Sequence, residues 1–352
     1  MKEVLRAGTV RYRGMVGTGG IGSGSFFALS GNETLGREES RGGRFLARKD
    51  YCKLHIVSHY VKALLGDAMS VFPIGRVGDD AAGALLLREM EEAGLDMRFV
   101  RTLSGVSTLF SFCLVYPDGS GGNLTTEDSA SSRLGAGEVE EAGDIMSSLG
   151  RQGIALAVPE VPLAARAALL DMATAHGLFR AASFTTAEMD TVRKRGLLDR
   201  VDLLAVNAEE ALAAAGSQHR AADGPAGSQQ AVERAVAGIA AGHPRLMLSV
   251  TAGREGSWSW DTRQLRRDPA LTVEVKSTAG AGDAHLAGIL CALAAGFELA
   301  DAQALGTLVA GASVTSPDTI SRDVDARLLR ALCGGKPGIS PRLRALLDTA
   351  MS

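Results

Sequence analysis

From about residue 150 onward, apolar residues gather in short unbroken runs that alternate with longer segments of helical period. Residues 154–158, 201–206 and 246–250 are continuous apolar runs. Between them, 163–176, 208–215 and 231–241 space their apolar residues as a helix does, and Gly177 and Gly216 follow the first two, where a left-handed residue ends a helix. Strands with no period-two polarity are buried on both faces. The alternation therefore predicts a parallel sheet with helices on either side. The polar, glycine-containing stretch 217–230 reads as a surface loop.

Upstream the pattern is less regular. Residues 51–65 predict a helix ended by Gly66, 71–74 a short strand, and 81–93 a helix opened by Gly78-Asp79-Asp80 and stopped by Gly94. Residues 107–116 are rich in β-favouring side chains and run into Pro117-Asp118-Gly119, a hairpin signal. Segments 9–12 and 25–29 are short extended candidates in a Gly/Ser-rich start. These β-rich pieces, roughly 9–45 and 98–126, do not fit the alternation and predict a small β-sheet lid. The expected fold is α/β: one domain over 1–352, a doubly wound, mainly parallel sheet with helices on both faces, plus the lid.

Composition narrows the function classes. Hydrophobic residues make up 46% and charged residues 22%, enough for a sizeable core. Aromatics at 5% argue against a stacking platform for single-stranded nucleic acid. With 37 basic and 40 acidic residues the formal charge is −3, so bulk charge points to no polyanion partner. Cys52, Cys113, Cys291 and Cys333 are scattered without a C-x-x-C pair and read as reduced thiols. Charges interrupt the first residues, unlike a signal peptide, and the longest apolar run, 286–297, is too short to span a bilayer. A soluble cytoplasmic protein with a small-molecule substrate is expected, with no nucleic-acid or membrane partner.

The sharpest chemical feature is Ser277-Thr278-Ala279-Gly280-Ala281-Gly282-Asp283, between an extended segment at 271–275 and an apolar helix at 284–295 that Gly296 ends. Small residues let backbone approach a ligand, and the free N–H groups of a helix start hold anions. Phosphoryl transfer needs such donors, and a carboxylate on the incoming hydroxyl. A plain strand–helix turn is the bland alternative. Asn207-Ala208-Glu209-Glu210 follows the strand at 201–206 and fits a capping box. Thr251-Ala252-Gly253-Arg254-Glu255-Gly256 links the strand at 246–250 to 257–260 and fits a glycine turn.

From Thr278 onward the loop resembles the Asp-Thr-x-Gly-Ala-Gly-Asp signature of the ribokinase-like (PfkB) carbohydrate and nucleoside kinases, and the motif order agrees over roughly 40–315. That resemblance implies Asp283 as catalytic base, with the amides of Gly280, Ala281 and Gly282 as an anion hole. It implies that Asn207 and Glu210 organise Mg²⁺ through water, and that Thr251, Gly253, Gly256 and Thr278 lie beside ATP. Gly42, Gly43, Arg44 and Glu160 would meet the substrate, a sugar or sugar derivative, and a homodimer built through the lid is implied as well. Ser277 stands where the family often has an aspartate of a monovalent-cation site, which puts K⁺ activation in question. His285 replaces a usual phenylalanine and reads either as a substrate contact or as a satisfied helix residue.

The N-terminal end departs from the family. Residues 17–24 hold no acid where an aspartate is expected, and 45–50 reads as an insertion. Arg41, Arg44, Arg48, Lys49 and Lys53 crowd this region, which suits an acceptor carrying a carboxylate or phosphate; a solvated basic loop is the plainer reading. Two other patterns compete. Gly17-x-Gly19-x-x-Gly22 matches a dinucleotide fingerprint, but Arg11, Tyr12 and Arg13 precede it and no long helix follows. His55 and His59 have the i, i+4 spacing of metal ligands, though two surface histidines of a helix account for them as well. A nucleoside kinase, or a non-catalytic sugar- or nucleotide-binding sensor, is the remaining alternative.

Overall fold

The computed structural model describes residues 3–5, 10–118, 121–217 and 229–348. The chain runs β1 (Gly14–Thr18), β2 (Gly22–Leu29), β3 (Gly43–Tyr51), α1 (Lys53–Leu65), β4 (Ser70–Gly78), α2 (Ala81–Glu92), β5 (Phe99–Leu103), β6 (Leu109–Val115) and β7 (Gly121–Thr125). It continues through α3 (Ala136–Glu140), α4 (Gly143–Leu149), β8 (Gly153–Ala157), α5 (Leu163–His176), β9 (Phe179–Ala182), α6 (Met189–Lys194), β10 (Leu203–Asn207) and α7 (Ala208–Ala214). Then come α8 (Gln229–Gly242), β11 (Met247–Thr251), β12 (Ser257–Trp260), β13 (Leu265–Asp268) and helices α9 (Ala281–Ala294), α10 (Leu299–Ser313), α11 (Ala326–Cys333) and α12 (Pro341–Asp348).

The main sheet has the order β13-β12-β11-β10-β9-β8-β1-β4-β5, parallel from β11 to β5 and antiparallel at β12 and β13. Side chains of a strand alternate between faces, and here both faces are apolar. Along β8, Ile154 and Leu156 enter the core formed with α1, α9 and α10, while Ala155 and Ala157 enter the core formed with α5, α7 and α8. The apolar runs of the sequence are unbroken for this reason. Chain order reverses between β1 and β8, and at such a switch point the carboxyl ends of the strands open a crevice.

The second sheet, β3-β2-β6-β7, is the lid. Its bounds are narrower than the sequence pattern implies. Residues 14–18 and 99–103 belong to the main sheet, so the lid strands lie within 22–51 and 109–125, not in 9–45 and 98–126. β1 escapes sequence reading because Gly14 and Gly17 weaken its strand signal, yet all five of its residues are buried between β4 and β8. Thr9, Gly119 and positions 218–228 of the expected loop lie outside the described residues. Tyr51 ends β3 rather than opening a helix, and α1 starts after Cys52. Segment 271–275 forms no strand; Leu271, Thr272, Val273 and Val275 line the cleft instead. The opening of α2 is as expected: Asp80 accepts from the Gly83 N–H at 2.8 Å.

The lid is fixed at its root. Glu89 of α2 accepts from Lys49 Nζ (2.8 Å), Tyr51 Oη (2.7 Å) and Arg322 (3.3 Å). Thr319 donates its N–H to the Lys49 carbonyl (3.1 Å), and its Oγ1 accepts from the Tyr51 N–H (3.0 Å).

Candidate active site

The carboxyl ends of the central strands surround a cavity of about 720 Å³. Asn207 ends β10 directly opposite Thr251, which ends β11. Ser183 follows β9, and the chain leaving β8 turns at Glu160, whose φ is 75°. Of the residues singled out from sequence, Asn207, Glu210, Thr251, Gly253, Gly256, Thr278, Ala281, Gly282 and Asp283 all line this one cavity.

At its upper end α9 begins. Gly280 has φ 75°, and a Cβ there would sit 2.9 Å from the Thr319 carbonyl oxygen, so only glycine fits. The Ala281 N–H donates to the Thr278 carbonyl at 3.2 Å. The N–H groups of Gly280 and Gly282 have no backbone acceptor among the described residues. Two of the three expected anion-hole amides are therefore open, and the third is used by the turn itself. Asp283 stands in the first turn of α9.

Asn207 and Glu210 form the capping box: Asn207 Oδ1 accepts from the Glu210 N–H at 2.9 Å, and Glu210 Oε2 accepts from the Asn207 N–H at 2.8 Å. Both still line the cavity, so the capping box leaves them facing it. Burial pushes the Glu210 carboxyl up, with the Asp283 charge adding to it and Lys53 opposing. A single carboxylate with an amide beside it suits a hard cation carried mainly on substrate phosphates and water. Among the described residues, no group of three or more His, Cys, Asp or Glu could hold a metal alone.

Further carboxylates gather around Asp283. Lys53 Nζ lies 3.3 Å from Asp283 Oδ1 and donates to Ser183 Oγ at 3.0 Å. Burial alone would lower the Lys53 pKa, but Asp283, Glu210 and Glu160 outweigh it and the net direction is up. Glu160 is pushed up to about 7, first by burial and then by the Asp283 charge. Its Oε2 is sealed from solvent without a hydrogen-bond partner among the described residues. Asp50, on β3, faces Gly24 of β2 across the ladder and accepts from Cys113 Sγ at 3.3 Å. Burial raises its pKa as well.

Gly42, Gly43 and Arg44 are not part of this group. They are exposed at the far end of β3, where Gly43 and Arg44 pair with Leu29 and Ala28, while Asp50 at the other end is near enough to feel the Asp283 charge. Seven residues of strand separate Arg44 from Tyr51, roughly 23 Å of chain. Nor do the basic residues assemble into an anion site. Arg41 pairs with Glu33 and Glu39, Lys49 with Glu89, and Lys53 with Asp283. Sequence reasoning passed over Asp50 and Lys53 as site residues. Lys53 stood among the five clustered cations, and only the fold distinguishes it, as the first residue of α1 facing Asp283.

The competing patterns resolve against their motifs. β1 leads from Gly17-x-Gly19 into another strand, not into a helix, so no dinucleotide turn forms. His55 is buried, with its ring 4.6 Å from that of Tyr51 and its pKa lowered to about 3 by burial; neither a surface residue nor a metal ligand describes it. His285 is buried too, but its Nε2 has no partner among the described residues.

The family model described as "pfkB family carbohydrate kinase" matches residues 58–327. A fructoselysine 6-kinase of Shigella flexneri is 43% identical over 65 residues, 18% of this chain and 25% of that relative; the chain thus matches about a quarter of the length of this curated relative. Ribokinase from Cryptococcus neoformans, solved with ADP, superposes with a TM-score of 0.72 at 20% identity over 92% of this chain and 99% of that one. A Burkholderia thailandensis nucleoside kinase, solved with inosine, gives 0.71 at 16% identity over 91% and 97%. At such identities the two solved structures establish a shared fold.

Proposed function

Since the chain belongs to the pfkB carbohydrate kinase family, we propose that it is an ATP-dependent kinase that moves the γ-phosphate of ATP to an alcohol of a sugar or sugar derivative. The observation that carries the reading is the meeting, in one cavity, of Asp283, Gly282 with its open amide, and the Asn207–Glu210 pair.

Asp283 takes the proton of the acceptor hydroxyl as its oxygen bonds to the γ-phosphorus. The bond from that phosphorus to the bridging oxygen breaks, and its electron pair leaves with ADP. The Gly280 and Gly282 amides face the charge that builds on the transferring group. Lys53 holds Asp283 in place and sets a positive charge between it and Glu210. Mg²⁺ bound to the phosphates would neutralise charge, and Glu210 with Asn207 would hold it through water. The lid lies over the acceptor end, and its closure excludes water that would otherwise take the phosphate.

Asp50 and Glu160 lie within range of the Asp283 charge, and the one lysine beside them is already paired, which favours a neutral polyol over an acid or a phosphate. The Ser277 hydroxyl accepts from the Ala279 N–H at 3.4 Å and serves the turn, so K⁺ dependence is not part of the proposal. A cytoplasmic location and a lid-built homodimer complete it; light scattering in solution checks the dimer. The test of the reaction is ADP release over a panel of sugars, sugar acids and nucleosides. Asp283→Asn should reduce kcat at least ~10³-fold while ADP affinity stays within a few fold. Near-normal turnover in that variant would defeat the assignment. Tight sugar binding without turnover in the parent would favour a sensor.

A further inference from the structure

Lys53 is the first residue of α1, and a single residue, Cys52, separates it from the lid strand β3. Its side chain lines the same cavity as Asp283 and Ser183. The ammonium lies 3.3 Å from Asp283 Oδ1 and donates to Ser183 Oγ at 3.0 Å. Among the described residues, the Asp283 carboxylate has no other hydrogen bond or ion pair. This is an unusual place for a cation. An aspartate that takes a proton from an alcohol needs that hydroxyl within about 2.6–3.2 Å. An ammonium is a donor only, so no hydroxyl proton passes to the oxygen it occupies. A positive charge beside a carboxylate also opposes its protonation. The contact that holds Asp283 therefore covers it as well.

A covered base matters because water can enter a kinase cleft as readily as an alcohol. With ATP at the start of α9, a water beside Asp283 would lose its proton to the carboxylate as its oxygen bonds to the γ-phosphorus. The bond to the bridging oxygen would break, its electron pair would leave with ADP, and the product would be free phosphate. What separates water from a sugar is the number of contacts made at once. The pair is neither sealed nor freely solvated, its side chains being 24% and 16% exposed. One water offers too little in exchange for the ion pair, whereas a polyol brings several hydroxyls that bond together to the ammonium, the serine and the carboxylate. The ammonium also has anionic surroundings beyond Asp283. It rides on a flexible four-carbon stem, Ser183 Oγ stays within its reach, and the charges of Glu210 and Glu160 act on it too.

We propose that Lys53 determines the choice between alcohol and water: its ammonium covers Asp283 until the hydroxyls of an acceptor displace it, so that phosphate is not lost to solvent. The inference rests on the kinase reading, yet its main test needs no acceptor. Phosphate release from Mg-ATP would be measured on the full chain with no sugar present. Lys53→Met keeps the length of the stem and removes the charge, and should raise that rate about tenfold or more. Lys53→Arg, which restores the charge, should stay within about threefold of the parent, and Asp283→Asn added to Lys53→Met should abolish the gain. Lys53→Gln, neutral but still a donor, should fall between, and it carries the test if the Met variant does not fold. Damage to the fold does not raise a rate, so a merely structural lysine predicts no gain. Hydrolysis at or below the parental rate in the neutral variants, with ADP affinity and Tm unchanged, would overturn the proposal, as would a gain that survives Asp283→Asn. The two readings fail separately. If the parent phosphorylates a sugar and the variants hydrolyse no faster, the kinase stands and the guard falls. If hydrolysis rises through Asp283 while the parent turns over no sugar, the guard stands and the sugar acceptor falls. Neither sugar turnover nor hydrolysis in any of the proteins would remove both.

Discussion

Glu160 is the residue where position and chemistry oppose each other most. Its backbone is in the left-handed region, which a side chain enters at a cost, and burial lifts its carboxyl to about 7. In the unfolded chain the same group titrates near the ordinary glutamate value of 4.5. Between those two values the native state holds a proton that the unfolded state has lost, so stability falls as pH rises through that window. The loss, at 1.36 kcal/mol per unit, is on the order of 3 kcal/mol by pH 8. Glu160→Gln should therefore melt higher than the parent at pH 8, and the gap should close by pH 5 while acceptor KM rises; parallel pH profiles of Tm would contradict this. That members of 278–283, 207–210 and 251–256 line one cavity was legible because they lie contiguously in short motifs at strand and helix ends. Asp50 and Lys53, three positions apart at the junction of β3 and α1, meet Glu160 from more than a hundred residues downstream. A lone acid or lysine carries no local sign of such a meeting; Glu160 and Gly42-Gly43 were read from the family resemblance, and the fold puts the two glycines at the exposed far end of β3.

At the scale of elements, legibility follows where the stabilising contacts come from. The helix at 163–176 was read to its ends because its apolar stripe and Gly177 are local signals. β1 and β9 were missed because their burial is conferred by neighbouring strands. The lid strand β3 shows the same dependence. Its root is held by Glu89, which no local pattern distinguishes. Burial would raise the Glu89 pKa, but hydrogen bonds from Lys49 and Tyr51 and the Arg322 charge outweigh it and hold the carboxyl low. A depressed acid stabilises above its unfolded pKa and loses that contribution as pH falls through the folded one. Glu89→Gln should cost about 1–3 kcal/mol at pH 7 in urea melts, and clearly less below pH 4. A deficit that does not change with pH would mean that the charge of Glu89 has no part in holding the lid.

For the molecule as a whole, a formal charge of −3 conceals an uneven layout. Of the five cations clustered in sequence near the lid, Arg41, Lys49 and Lys53 pair with acids, and carboxylates outnumber the one lysine around Asp283. Neutral polyols should therefore show a higher kcat/KM than the corresponding sugar acids or sugar phosphates, by tenfold or more. Arg44→Ala should leave acceptor KM within twofold, since the side chain lies at the remote end of β3. A preference for anionic sugars that disappears in that variant would reverse the picture.

The lid is not an appendage. Its strands come from two stretches of chain, and β2 and β3 are threaded between β1 in the centre of the main sheet and α1 in the first core. Only Gly19, Gly20 and Ile21 separate β1 from β2, and only Cys52 separates β3 from α1. No cut removes the lid and leaves an intact domain, and no relative's lid can be spliced in without re-registering a core strand and the helix that presents Lys53. In a chain threaded this way, exchange of the whole lid disturbs β1 and α1, whereas substitution within it leaves them in place.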